Sequence, residues 1–210
     1  MRYSVLVVSA LCGLSATALV AYPVKAAALA TTPAALKAIY QFGGCVADHS
    51  REKASAALKL DFRTGAYSRA LHVLAKNNVD CSRDAKWFKV RSSSLFFAGA
   101  LAEKLLSEGP DSLDSRLTHA AEGPPTQPRS NFDAMAICIV RSSPDGVSTL
   151  FRSAVASAEE KHALAALQPT INACHKFAPR IDASDAAMRA VLATAAYRVV
   201  NGEAPNGKAA

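Results

Sequence analysis

Four cysteines beyond residue 30, Cys45, Cys81, Cys138 and Cys174, fall into two pairs with the same internal spacing of 36 residues. The pairs are offset by 93 residues. Equal spacing at a fixed offset is the signature of an internal repeat. Sliding the chain over itself by that offset, without a gap, superposes Cys45 on Cys138, Ser50 on Ser143, Ser55 on Ser148, Ala70 on Ala163, Leu71 on Leu164, Leu74 on Leu167 and Cys81 on Cys174. The pairs Val46/Ile139, Lys59/Arg152, Phe62/Val155 and Thr64/Ser157 are similar in kind. Identities are easily found in an alanine-rich chain, so their weight comes from where they fall: at cysteines, at helix starts and at apolar helix positions. Chance alignment of alanine-rich helices is the competing explanation, and it predicts halves that fail to superpose.

Hydrophobic periodicity and capping residues give the units their elements. Thr32-Pro33 sets an N-cap and a first-turn proline, and Leu36, Ile39, Tyr40, Gly43 and Val46 or Ala47 then share one helical stripe. Phe132 to Val140 is the shorter counterpart. Second helices start at Ser50 and at Ser143-Pro144-Asp145, and third helices at Thr64 and at Ser157, which forms a capping box with Glu160. Asn77-Asn78 is expected to end one third helix and Pro169 the other. The fourth helices, Leu95 to Leu106 and Met188 to Val199, begin after Ser92-Ser93-Ser94 and after Ser184. A two-residue shift aligns Leu101-Ala102 with Leu192-Ala193. Trp87 to Arg91 and Phe177 to Ile181 read as extended crossings, with Trp87 and Phe88 plugging the core.

The expected fold is therefore all-α, with two tandem disulfide-stapled units of about four helices each, packed together. Residues 31–107 form the first unit and 130–200 the second. Residues 108–129 read as a linker, from Gly109-Pro110 and Gly123-Pro124-Pro125-Thr126-Gln127-Pro128. Residues 201–210 read as a disordered tail. Residues 1–30 have the order of a signal peptide: Arg2, an apolar run from Val5 to Val20, and the small-residue segment Lys25 to Ala30. Cleavage is expected after Ala30, with Ala26 and Ala28 as alternatives, and Leu11 before Cys12 argues against lipidation there. The mature chain then has no transmembrane segment.

In an exported chain, paired cysteines read as disulfides, and the duplication selects Cys45–Cys81 with Cys138–Cys174. Closing such a loop stabilises by about 3–4 kcal/mol in the chain-entropy model.

Catalytic motifs are missing. The histidines, His49, His72, His119, His162 and His175, form neither His-x-x-x-His nor His-Glu-x-x-His. There is no Gly-x-Ser-x-Gly elbow, P-loop or dinucleotide fingerprint, and neither a metal, a cofactor nor a catalytic residue is assigned. A Cys174/His175 dyad is disfavoured because adjacent helical side chains point apart. Gly43-Gly44 is explained by close helix packing. Loss of residues 1–30 lowers the basic count from 24 to 22 against 17 acids, leaving a net charge of +5. That excess suits an anionic polymer or an envelope protein, and lacks the clustered stripe of a nucleic-acid binder. Lys86, Trp87, Lys89 and Arg91 form the best candidate patch for an anionic partner.

An aromatic residue, a Cys-Val pair, a serine-started helix, a second cysteine 36 residues on and a closing Leu-Ala-Glu-type helix make up the recurring pattern. Over residues 40–106 and 133–199 this resembles small exported all-helical, duplicated proteins of unknown function from Gram-negative bacteria. The resemblance rests on structural motifs and transfers no functional residue. The expectation is a periplasmic or secreted binding or protein-interaction module, with a hydrolytic enzyme of the cell envelope and a chaperone-like holdase as alternatives. The oligomeric state is left open.

Overall fold

Hydroxyl side chains open most of the helices, and their positions set the architecture. The computed structural model describes residues 32–82, 94–178 and 183–202, which contain nine α-helices and no strand. Thr32 accepts a hydrogen bond from the Ala35 amide and starts α1 (Pro33–His49). Ser50 leads into α2 (Arg51–Lys59), and Thr64 accepts from the Tyr67 amide to start α3 (Gly65–Asn77), which is followed by a 3-10 turn, Val79–Ser82. Then come α4 (Ser94–Ser107), α5 (Leu113–Glu122), α6 (Asn131–Ser142), α7 (Pro144–Arg152), α8 (Ala158–Cys174), a second 3-10 turn at His175–Phe177, and α9 (Asp185–Asn201). The all-α class is as expected, and both within-pair disulfides form, Cys45–Cys81 and Cys138–Cys174. The starts and ends of α2 and α7, and the starts of α3 and α8, are separated by the 93-residue offset. Ser50 and Ser143, at the preceding junctions, have similar backbone angles, φ −135° and ψ 40° against φ −143° and ψ 63°.

The fourth helix of each cysteine-defined half lies at the centre. α9 is buried on every side, from Met188 to Val199 with only Thr194 part-exposed, and α4 is buried from Phe97 to Ala102 and again at Leu105 and Leu106. A helix buried on every side belongs in the middle of a core, and α9 does so although it carries Arg189 and Arg198. α4 packs against α1 on one side and α9 on the other, and α9 also packs against α6. Small residues permit this closeness. A methyl group at Gly99 would come within 2.8 Å of the Ala190 Cα, and one at Gly43 would collide with the Ala100 Cβ. Gly43 is therefore the packing glycine of its pair, whereas a methyl group at Gly44 meets nothing within 4 Å. The Phe42 and Phe97 rings, 5.4 Å apart, extend the contact between α1 and α4.

The segment expected to be a linker, residues 108–129, contains α5. Ser112 caps it by accepting from the Ser115 amide, and Leu117, fully buried, anchors it in the core. One Ser-Leu-Asp start and one apolar anchor outweigh the breakers on either side. Pro169 likewise does not end its helix, because α8 runs through it to Cys174. Its ring is exposed and removes only the hydrogen bond to the Ala165 carbonyl, while burial of Leu167, Ile171 and Cys174 rewards continuation. Phe177 closes a 3-10 turn instead of opening an extended crossing. Residues 1–31, 83–93, 179–182 and 203–210 lie outside the described residues, and with them the segment expected to be a signal peptide, the whole of the first expected crossing, most of the second and most of the expected tail.

Much of the basic excess is spent inside the fold. The Arg141 guanidinium donates to the carbonyls of Ala120, Ala121, Gly123 and Pro124 at the end of α5. Arg129 donates to the Lys59 and Leu60 carbonyls at the end of α2, and Arg116 to the Leu106 carbonyl at the end of α4. Cations placed on the last carbonyls satisfy acceptors that the helix cannot, and they complement its dipole. Among the described residues no helix is long and apolar enough to cross a membrane.

Candidate functional site

Two polar constellations stand out, one buried and one at the surface. The buried one is built on α9. Its Arg189 side chain, 2% exposed, reaches Glu103 of α4 through Nε at 2.8 Å and Nη2 at 2.7 Å, and Glu160 of α8 through Nη1 at 3.3 Å. It also donates to the Ser153 hydroxyl and carbonyl. The Tyr40 ring lies under the guanidinium, 5.5 Å from carbon to centroid. The Tyr40 hydroxyl is buried close to Glu103.

Burial raises the Glu103 carboxyl above the usual carboxylate range, against the pull of Arg189. Burial, then the Glu103 charge, raises the Tyr40 phenol as well. For Arg189, burial works against the charge, but the Glu103 carboxylate more than offsets it and holds the guanidinium ionised. Every nitrogen of Arg189 has a protein acceptor, so the arginine has no donor left for a ligand. The cluster is a staple between α4, α8 and α9.

A second staple follows the same pattern nine residues on. Arg198 donates from Nη1 to both Asp133 oxygens at 2.7 Å and from Nη2 to the Gln127 carbonyl. In both staples the acid stands three residues after an N-cap serine and also accepts the amide just before that serine. Asp133 takes the Arg129 amide and Glu160 the Ala156 amide. The capping box read at Ser157 and Glu160 thus carries a further burden, binding a buried arginine.

At the surface, the two disulfides differ. Cys174 is 1% exposed and its partner Cys138 is partly open, whereas both Cys45 and Cys81 are partly open to solvent. His49 stands one helical turn beyond Cys45 on α1, and its Nδ1 lies 4.0 Å from the Cys45 sulfur and 3.7 Å from that of Cys81. At the 93-residue offset the second half has Ser142 in place of His49. Neither spacing nor motif singled out His49, because its partner Cys81 arrives from a different element.

The patch read from sequence, Lys86, Trp87, Lys89 and Arg91, lies outside the described residues. What the structure places just before it is the exposed edge of α3, where Arg69, His72, Val73 and Lys76 share one face. The corresponding edge of α8 is His162, Ala165, Ala166 and Pro169. His175 directly follows Cys174 and opens a 3-10 turn. No protein-family model, curated protein or solved structure matches this chain.

Proposed function

We propose that this chain is a binding or protein-interaction module of the periplasm or secreted space, made of two duplicated helical units behind a cleaved signal peptide. Its two disulfides support an oxidising compartment, and the recurrence of capped helix starts at one offset supports the duplication. The interaction face is the outer edge of α3, with the sequence candidate Lys86 to Arg91 following it along the chain outside the described residues, and its partner is an acidic envelope protein or an anionic polymer.

One observation carries this reading. Val73 is 50% exposed between the cations Arg69 and Lys76, on a helix whose opposite edge, Tyr67, Leu71 and Leu74, is locked in the core. An exposed β-branched residue flanked by unburied cations on a rigid helix fits a partner that is acidic with an apolar spot. The other arginines among the described residues are held by carbonyls and carboxylates.

Capture from an envelope fraction by the oxidised mature protein, compared with Arg69→Glu/Lys76→Glu, tests this. Loss of capture in the variant and weakening with salt are the expected results. Unchanged capture would overturn the assignment of the face. Suppression of aggregation of an unrelated unfolded protein by both forms would favour the holdase alternative.

A further inference from the structure

We infer that the Cys45–Cys81 bridge covers a reduction-gated metal site, in which the two freed thiolates and His49 Nδ1 bind one thiophilic d10 cation, Zn(II) or Cu(I). The three donor atoms already lie within 4.8 Å of one another. In a zinc site with Zn–S near 2.3 Å and Zn–N near 2.0 Å, sulfur and nitrogen ligands stand roughly 3.5 Å apart. The observed 3.7 and 4.0 Å separations approach that value. Only the sulfurs have to part, and breaking their bond releases them.

The framework around the site does not depend on the bridge. Cys45 and His49 are held on one face of α1 by helical geometry. The turn carrying Cys81 is clamped separately: the Ser50 hydroxyl donates to Asn78 Oδ1 at 3.1 Å, Asn78 Nδ2 donates to the Leu74 carbonyl at 2.8 Å, and the Cys81 amide donates to the Asn78 carbonyl at 3.1 Å. Asn78 is itself buried. The second half has Ile171 where the first has Asn78, and Ser142 where it has His49, so its bridge has neither the clamp nor a histidine at the third-ligand position.

The chemistry balances with a dithiol reductant. Two electrons from the dithiol break the S–S bond, the dithiol becomes a disulfide, and its two protons pass to Cys45 and Cys81. Cation binding then displaces those two protons, and His49 binds as neutral imidazole. Two soft thiolates and an imidazole select Zn(II) or Cu(I) over hard cations, with a vacant position on zinc for water.

The test uses the full mature chain, treated with a dithiol under native conditions and desalted without oxygen. Thiol counting should find two free thiols, those of Cys45 and Cys81, because both of their sulfurs belong to partly open residues while the other bridge has one buried end, Cys174. Titration with Zn(II) and with Cu(I) against a competing chelator should give one cation per chain. His49→Ala should weaken binding about tenfold or more, and Cys45→Ser/Cys81→Ser should abolish it. Co(II) as a probe should show thiolate charge-transfer absorption. Equal affinity in wild type and His49→Ala would overturn the proposal, as would the absence of binding by the reduced chain. If reduction lowers the helical signal, its recovery on adding metal supports the site and failure to recover refutes it.

Discussion

Replacing Arg189 with methionine should be among the most destabilising single changes to this protein, although it deletes a charge from the middle of a hydrophobic helix. The guanidinium is the cation that Glu103 and Glu160 share, and their side chains are 11% and 6% exposed. Methionine fills much of the same volume but leaves both carboxylates buried without a cation, together with the Ser153 carbonyl that Arg189 also held. Breaking a buried pair by removing one partner costs about 3–5 kcal/mol. For a chain of this size each kcal/mol is worth about 2–4 °C, so the melting temperature should fall by about 6–20 °C.

The pH dependence carries the sharper test. Glu103 already sits above its ordinary value because it is buried, and Arg189 is what pulls it back. Without Arg189 its folded-state value rises further. A carboxyl whose folded-state value exceeds its unfolded one loses stability as pH rises from the unfolded value through the folded one. The deficit of Arg189→Met should therefore be greatest at pH 7–8 and shrink as the pH falls towards about 5. Urea denaturation followed by circular dichroism at several pH values measures it. Adding Glu103→Leu and Glu160→Gln should restore most of the loss, since apolar replacement of a whole buried ion cluster is often neutral or better. A cost below about 1 kcal/mol, as for a surface pair, or a cost independent of pH, would refute the burial reasoning.

Two further outcomes follow from packing and backbone. Gly99→Val should destabilise by about 1–3 kcal/mol or more because Ala190 leaves no room, while Gly44→Ala, facing open space, should stabilise by up to about 1 kcal/mol through helix propensity; paired denaturation curves decide both. Pro169→Ala should stabilise α8 by about 1–3 kcal/mol in a thermal melt, since the ring is exposed and the lost hydrogen bond returns.

Helix starts were the most legible part of this chain. Thr32, Thr64, Ser157 and Ser184 each cap the helix read from them, because a hydroxyl before an apolar period acts on amides two or three residues away. Helix ends read less well. Pro169 and the Gly-Pro punctuation of residues 108–129 carry local preferences of a few kcal/mol, and Ile171, Cys174 and Leu117 outweigh them only once a core exists to receive those side chains. The candidate site behaves the same way. Cys45 and Cys81 were readable as a pair from spacing, but His49 acquires meaning only when the turn Val79–Ser82 folds back onto α1.

By itself, then, the amino-acid order determined the helical class, the capped helix starts and which cysteines bond, since each depends on local periodicity or on one recurring interval. Tertiary structure decided how buried charge is neutralised. At the 93-residue offset Asp133 stands where the first half has Tyr40, and Glu160 where it has Tyr67. Those two acids are tolerated because α9 brings Arg198 and Arg189 to them from 65 and 29 residues away. Coulomb attraction in a low-dielectric interior depends on distance in space, and that distance is set only when α9 is enclosed by its neighbours.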